Sequence, residues 1–402
     1  MATDRGRNRV RTFAARPGEC SEAVNAGIKS LYLTPAVKWK PRVCIESMPS
    51  EMLLKIFSYL DAVSLLSVGC VNKLFYDLAN DKLSGLSWII VLKDKNGKEH
   101  VMEKANLSFK HTSVTILWYS TNWPCLDIVS TLKLFGVMPL FLDQSIPPNK
   151  KGPRRLSLIA EYHLANLTES SAAVGADGLV QLFSLNPGLL IGIWKEKNEI
   201  AFVMVSLHYH QLLERSILGS ATVQYAPPPN KPVLDDIDPE YGLHDYRLHL
   251  EMHGRSCTYL RGTFRNVFCR KGDIANGYLR LTVVSLKDNR KHLPLIGTLG
   301  LSWETDVFKG NVKDCYMMNL TLFDEIGEPF WCFSAPVCME LSSKTSGLYD
   351  YMGHIYTTNY ADSEGKVCVK LVWLEETRQY IIVSLVLYVS TEKVNKWYGT
   401  NY

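Results

Sequence analysis

Although the chain holds ten cysteines in 402 residues, it has no CxxC pair, and its two closest cysteines are Cys332 and Cys338. Such spacing excludes a zinc ribbon or finger and offers no regular disulfide framework, so reduced thiols in a cytoplasmic or nuclear compartment are expected. The opening MATDRGRNRVRTFAARP has no apolar stretch of the kind a secretory leader needs. The sequons at Asn106, Asn166 and Asn319 are therefore read as chance matches. No apolar run is long enough for a membrane helix, and the most apolar, Tyr380 to Val389, has the length of a buried strand. Missing as well are a glycine-rich phosphate loop, a G-x-S-x-G elbow and the kinase signature set. No catalytic residue, metal site or cofactor is expected, and no WD40, kelch or leucine-rich period is found.

Charge is unevenly spread. Met1 to Lys40 carries eight Lys or Arg against three acids, a balance of +5, so with a net +4 the remainder is −1. A nearly neutral body argues against nucleic acid as the main partner, because such binding needs a basic face. Residues 1–41 read as a flexible basic arm; Arg5, Arg7, Arg9, Arg11 and Arg16 suit a nuclear import signal, but a solvated tail is the simpler account. At 47% hydrophobic and 21% charged, most of the remainder should be globular.

Residues 42–88 read as a compact helical block. Pro49 suits a helix start, and Glu51 sits near the positive end of the macrodipole. Leu53, Ile56, Phe57 and Leu60 follow at i, i+3, i+4 and i+7, on one face. Asp61 can cap a second helix bearing Val63, Leu65, Leu66 and Val68, which Gly69 ends. Val71, Leu74, Phe75 and Leu78 repeat the first spacing on a third helix, before the polar stop Asn80, Asp81 and Lys82. Three short helices cannot cover so much apolar surface among themselves, so a partner chain or the following domain must take part of it.

Met48-Pro49-Ser50-Glu51, Ile56, Tyr59-Leu60-Asp61, Leu65-Leu66, Val71-Asn72, Phe75 and Leu78-Ala79 stand in the order and spacing of the F-box, which this block resembles. The departures are Met48 for Leu, Ser64 for a common Asp, Asn72 for Cys and Phe75 for Trp. The resemblance implies a module that binds a Skp-type adaptor, and through it a cullin and a RING subunit, leaving catalysis to other chains. It implies adaptor-binding positions at Pro49, Leu53, Ile56, Phe57, Leu60, Leu65, Leu66, Val71, Phe75 and Leu78.

Beyond Trp88 the apolar period shifts towards two, the mark of strands with one buried face. Candidates are Trp88 to Leu92, Ser113 to Tyr119, a hairpin of Leu189 to Trp194 with Ile200 to Leu207, then Tyr278 to Leu286, Tyr316 to Phe323, Val367 to Leu374 and Tyr380 to Val389. Leu156 to Leu167 suits a helix and a strand equally. Proline-rich stretches at 143–155 and 225–245 read as an exposed loop and as a divide between two lobes or a surface crossing. The expected fold is α+β: a three-helix module (42–88) followed by a mainly antiparallel, β-rich region (89–402), sandwich or barrel-like, that recognises an unknown protein substrate. Arg247, His249, Glu251 and His253 share one strand face, expected to be wet rather than a zinc site, and His208 and His210 make an incomplete ligand set. A ligase receptor is the leading function; an adaptor-bound scaffold, or an F-box carrying a ligand-binding or enzymatic β domain, remains open.

Overall fold

Period-two sequence becomes sheet almost throughout. The computed structural model describes residues 45, 48–57, 59–60, 62–84, 87–103, 105–119, 122–139, 154–164, 167, 173–197, 199–211, 241–342, 351 and 353–402. The basic arm 1–41 lies outside them, as do the proline-rich stretches apart from 154–155 and 241–245, which are strand.

Helices α1 (Ser50–Phe57), α2 (Ala62–Gly69) and α3 (Lys73–Ser84) come first, and α4 (Thr391–Tyr398) lies near the C-terminus. A first sheet runs β2 (Glu99–Met102), β1 (Ser87–Asp94), β5 (Val129–Pro139), β6 (Arg154–His163). The second runs β3 (Asn106–Phe109), β4 (Ser113–Tyr119), β10 (Ile200–His208), β9 (Leu189–Trp194), β8 (Val180–Leu185), β7 (Ala173–Ala176). In the third the order is β12 (Thr258–Arg270), β11 (Tyr241–His253), β18 (Cys315–Phe323), β19 (Pro329–Leu341), β20 (His354–Ala361), β21 (Gly365–Leu374), β22 (Gln379–Ser390), β14 (Tyr278–Val284), β13 (Ile274–Ala275), with β15 (Leu293–Pro294) also on β22. Strands β16 (Gly300–Glu304) and β17 (Lys309–Lys313) form a separate hairpin. All pairings along these paths are antiparallel, the expected hairpin being β9 with β10 in the register Val205↔Leu189 to Ile200↔Ile193. Of the segment that suited either state, Leu156 to His163 is strand, part of β6 and held by β5.

Alternation along β4 and β10 explains the layering. Val114, Ile116 and Trp118, with Val203, Val205 and Leu207, face the first sheet and pack with Ile90, Leu92, Leu132, Leu134 and Ile159. On the opposite face, Leu117, Phe202 and Met204 join Trp303 and Met317 in a second apolar core, while Ser113, Thr115, Ser206 and His208 carry polar groups towards the third sheet. The third sheet curls around its own core of Leu250, Leu320, Phe333, Leu371 and Leu385, which Val394 and Tyr398 of α4 complete. The fold is thus α+β, a small helical region followed by a large antiparallel body; the curled sheet is not a closed barrel.

The helices have no core of their own. Leu53, Phe57, Leu65, Leu66 and Phe75 belong to the same buried cluster as Trp88, Ile90 and Leu132, so the following domain covers much of the surface that three short helices leave bare. Only residues 85 and 86 separate α3 from β1, and residues 48–402 cluster as one compact unit.

Candidate functional site

Side chains at the ten implied adaptor positions divide by burial. Leu53, Phe57, Leu65, Leu66 and Phe75 are buried, with Phe57 and Phe75 edge to face at 5.5 Å. Leu60 and Leu78 are half-buried and pack on the same core, whereas Pro49, Ile56 and Val71 are exposed. Beside these three lie large apolar side chains outside the implied set, giving exposures of 53% at Met52, 38% at Ile56, 70% at Tyr59, 62% at Val71 and 38% at Leu74. Met52 and Ile56 are spaced i, i+4, so α1 is apolar on its outer as well as its inner side, and Tyr59 follows just past its end. Five exposed large apolar residues in so short a stretch are what a docking surface presents.

Local signals set the helix limits. α1 starts at Ser50, where the Pro49 carbonyl accepts from Met52 N at 3.0 Å and Leu53 N at 3.1 Å, which puts the proline just before the first helical residue rather than on it. Asn72, a departure from the F-box pattern, caps α3, since its Oδ1 accepts from Phe75 N at 2.8 Å. The helix therefore begins at Lys73, and Val71 lies ahead of it rather than on a shared face with Phe75 and Leu78. Nor do Asn80 and Asp81 stop it, since α3 continues to Ser84. Leu60 likewise falls beyond α1, which ends at Phe57. The proposed cap Asp61 and the side chain of Val63 lie outside what is described. At the end of α2, Cys70 Sγ lies 3.5 Å from the Leu66 carbonyl, and burial pushes this thiol up to about 12, far from a reactive thiolate.

From α3, Tyr76 reaches the second sheet. Its hydroxyl donates to the Lys110 carbonyl beside β4, and its ring lies 5.9 Å from that of Tyr209, just past β10. The module is thus pinned by a hydrogen bond as well as by its apolar core.

The supposedly wet face of β11 is buried at the end nearer Gly254. Glu251 is 4% exposed and His253 fully buried, because the second sheet lies over them. Asn319 of β18 is the hub: Nδ2 approaches Ser113 Oγ at 2.8 Å, His253 Nε2 at 3.0 Å and Glu251 Oε2 at 3.4 Å, while Oδ1 accepts from Ser334 Oγ at 2.5 Å. Ser334 meets Ser206 at 2.6 Å, and Ser206 meets Thr115 at 3.3 Å. His253 Nδ1 lies 2.8 Å from the Gly254 carbonyl, which only accepts, so the proton sits on Nδ1 and leaves Nε2 to accept from Asn319. The Glu251 carboxylate is compensated by Arg261, with Nη2 at 2.8 Å and Nε at 3.3 Å. Sequence alternation distinguishes two strand faces, but not which of them another sheet covers.

Further along the seam, His208 is buried with Nε2 2.8 Å from Thr321 Oγ1, and its ring lies 5.8 Å from that of His210. Among the described residues no three of His, Cys, Asp or Glu converge as a metal site. Burial, then the neighbouring His210, holds His208 well below the usual histidine range; burial, then His249, lowers His210 to about 4. Because an unfolded histidine takes its proton near pH 6.5 and these resist it when folded, their effect is absent well above pH 6.5 and stability is lost as pH falls from there towards 4. His210 alone corresponds to a loss of about 3 kcal/mol by pH 4. Urea midpoints measured from pH 7.5 to 4.5 should fall, and His210→Gln should flatten the fall; a midpoint unchanged over that span would show the histidines to be accessible.

A family model described as F-box-like matches residues 45–84, the span of α1 to α3. Among curated proteins, the chain is 45% identical to F-box only protein 15 of Macaca fascicularis, over 88% of this chain and 100% of that one. It is 42% identical to F-box only protein 15 of Homo sapiens, over 98% of this chain and 94% of the relative. With the protein of that name in Mus musculus the identity is 37%, over 88% and 100% respectively.

Proposed function

The chain belongs to the F-box only protein 15 family, and from that premise we propose that it is the substrate receptor of a Skp-adaptor, cullin and F-box ubiquitin ligase. Its own part is non-catalytic: it holds a target near a ubiquitin-charged enzyme borne by other subunits, raising the effective concentration of the target's lysines. The observation that carries the reading is the set of exposed apolar residues Met52, Ile56, Tyr59, Val71 and Leu74, on and beside helices whose inner sides are already buried against the body. The adaptor takes this outer surface. Leu53, Phe57, Leu65, Leu66 and Phe75 act indirectly, by holding α1 to α3 in place.

The test uses the exposed residues, since their replacement leaves the core intact. Ile56→Asp combined with Val71→Asp should lower adaptor capture by the full chain at least tenfold, because a carboxylate in an apolar interface is desolvated without a partner. Its melting temperature should stay within about 2 °C of the parent, as surface changes rarely exceed ~0.5 kcal/mol. Adaptor captured at the parental level by this folded variant would sink the assignment.

A further inference from the structure

Far from the helical surface in sequence, a cavity of about 490 Å3 opens between the β9–β10 turn and the β16–β17 turn. Trp123, Trp194 and Phe308 give it aromatic walls, and Glu196, Glu199 and Asp306 line it against a single cation among the described residues, Lys197, a balance of −2. The aromatic side is braced from beneath. Trp194 lies edge on to Trp303 at 5.7 Å and to Phe308 at 5.6 Å, while Trp303 stacks on buried Phe202 at 5.7 Å and donates Nε1–H to Asp177 Oδ2 at 2.6 Å. Gly310 makes that stacking possible, since a Cβ there would come within 2.4 Å of the Trp303 ring. The outer collar remains exposed, 73% at Val307, 49% at Phe308 and 45% at Leu179.

Neighbouring lysines make their contacts away from the cavity carboxylates. Lys195 Nζ donates to the Asp177 carbonyl at 2.5 Å, and Lys309 pairs with Glu304 at 3.5 Å. Among the described residues, the carboxylates of Glu196, Glu199 and Asp306 have neither an ion-pair nor a hydrogen-bond partner. In the same wall, Trp123 Nε1 is a buried donor with no partner among them. Aromatic rings lining one cavity with unpaired carboxylates select a cation, and a guanidinium suits them better than an ammonium because it lies flat on a ring and forks to a carboxylate.

The geometry points to a peptide-binding site in which this cavity takes one arginine side chain of a protein partner, with flanking apolar residues of that partner on Leu179, Val307 and Phe308. The inference deepens the receptor reading, and rests on it, by placing substrate recognition at the β9–β10 and β16–β17 turns.

Fluorescence anisotropy of the full chain without adaptor, using labelled acetyl-Gly-Leu-Arg-Leu-Gly-amide, tests it apart from the ligase assignment. Saturable binding of this peptide is expected, at least tenfold weaker for the peptide with citrulline in place of arginine, which keeps the shape and loses the charge. The triple variant Glu196→Gln, Glu199→Gln, Asp306→Asn should lose the arginine preference, and Phe308→Ala, at a largely exposed ring, should weaken both peptides; thermal melts confirm that each remains folded. Equal affinity for the arginine and citrulline peptides, an unchanged preference in the folded triple variant, or no saturable binding of the arginine peptide would overturn the proposal. Adaptor capture by the same preparations reports on the receptor reading separately.

Discussion

Leu65→Ala combined with Leu66→Ala should unfold the helical module and weaken the packing of the first and second sheets with it. Both side chains are fully buried in the cluster that contains Trp88, Ile90, Leu132 and Val203, so each truncation leaves a cavity bordered by helix and sheet together. A buried leucine cut to alanine costs about 2 to 5 kcal/mol, and the pair therefore about 4 to 10, against a typical net stability of about 5 to 15. Adjacent sites need not add, so the lower end is the firmer expectation. In urea the variant should lose most of its folded baseline, with far-ultraviolet and tryptophan signals falling together. Adaptor capture should vanish as well, but through loss of the fold. A cooperative transition within about 1 kcal/mol of the parent would mean that the shared core is not a single unit.

Asn319→Ala should be the most damaging single polar substitution in the seam between the second and third sheets. Asn319 is the one side chain that meets Ser113, Ser334, Glu251 and His253 together. Its truncation strips a neutral donor from a buried carboxylate and its acceptor from Ser334, while the apolar surroundings gain nothing in exchange. Leaving buried hydrogen-bonding groups unsatisfied costs about 1 to 3 kcal/mol, more where one of them is charged, whereas a single neutral hydrogen bond is worth about 1. Thr115→Ala, which removes only the 3.3 Å contact to Ser206, should cost no more than about 1 kcal/mol and serves as the comparison. Equal losses for the two variants, read from urea midpoints, would show that the seam has no hub.

Much of this organisation was legible in the sequence because it rests on local periodicity. Ser113 to Tyr119 is β4 residue for residue, and the runs at Leu189 to Trp194 and Tyr316 to Phe323 fall on β9 and β18. Periodicity failed where a capping side chain decided the outcome: Asn72 ends the possibility of a helix beginning at Val71 by taking the Phe75 amide for itself. It failed again at Glu251 and His253, which alternate as a solvent-facing set would and yet are covered, because coverage depends on a second sheet whose Ser113, in β4, lies more than a hundred positions away. Leu156 to Leu167 could not be assigned from its own pattern, and pairing of β6 with β5 decided it for Leu156 to His163. The acidic, aromatic cavity carries no sequence signature at all, since Trp123, Trp194 and Phe308 come from three segments far apart in sequence. Of the implied adaptor positions, the pattern marked the apolar residues but could not tell inner from outer sides, since both α1 surfaces are apolar.

The two-residue step from α3 to β1, with the core that crosses it, bears on how a chain in the proposed receptor role would choose among a target's lysines. A long linker would act as a leash, sweeping the bound target through a wide volume so that chain statistics set its encounters with the charged enzyme. Here the mount is stiff, and it acts as a protractor: the angle between the helical surface and the β body is built into the packing of Leu53, Leu66 and Phe75 on Ile90 and Leu132. In the receptor role proposed above, target lysines would then be selected by bearing rather than by tether length, and a lysine moved to the far side of the same target would be out of range however tightly that target is held.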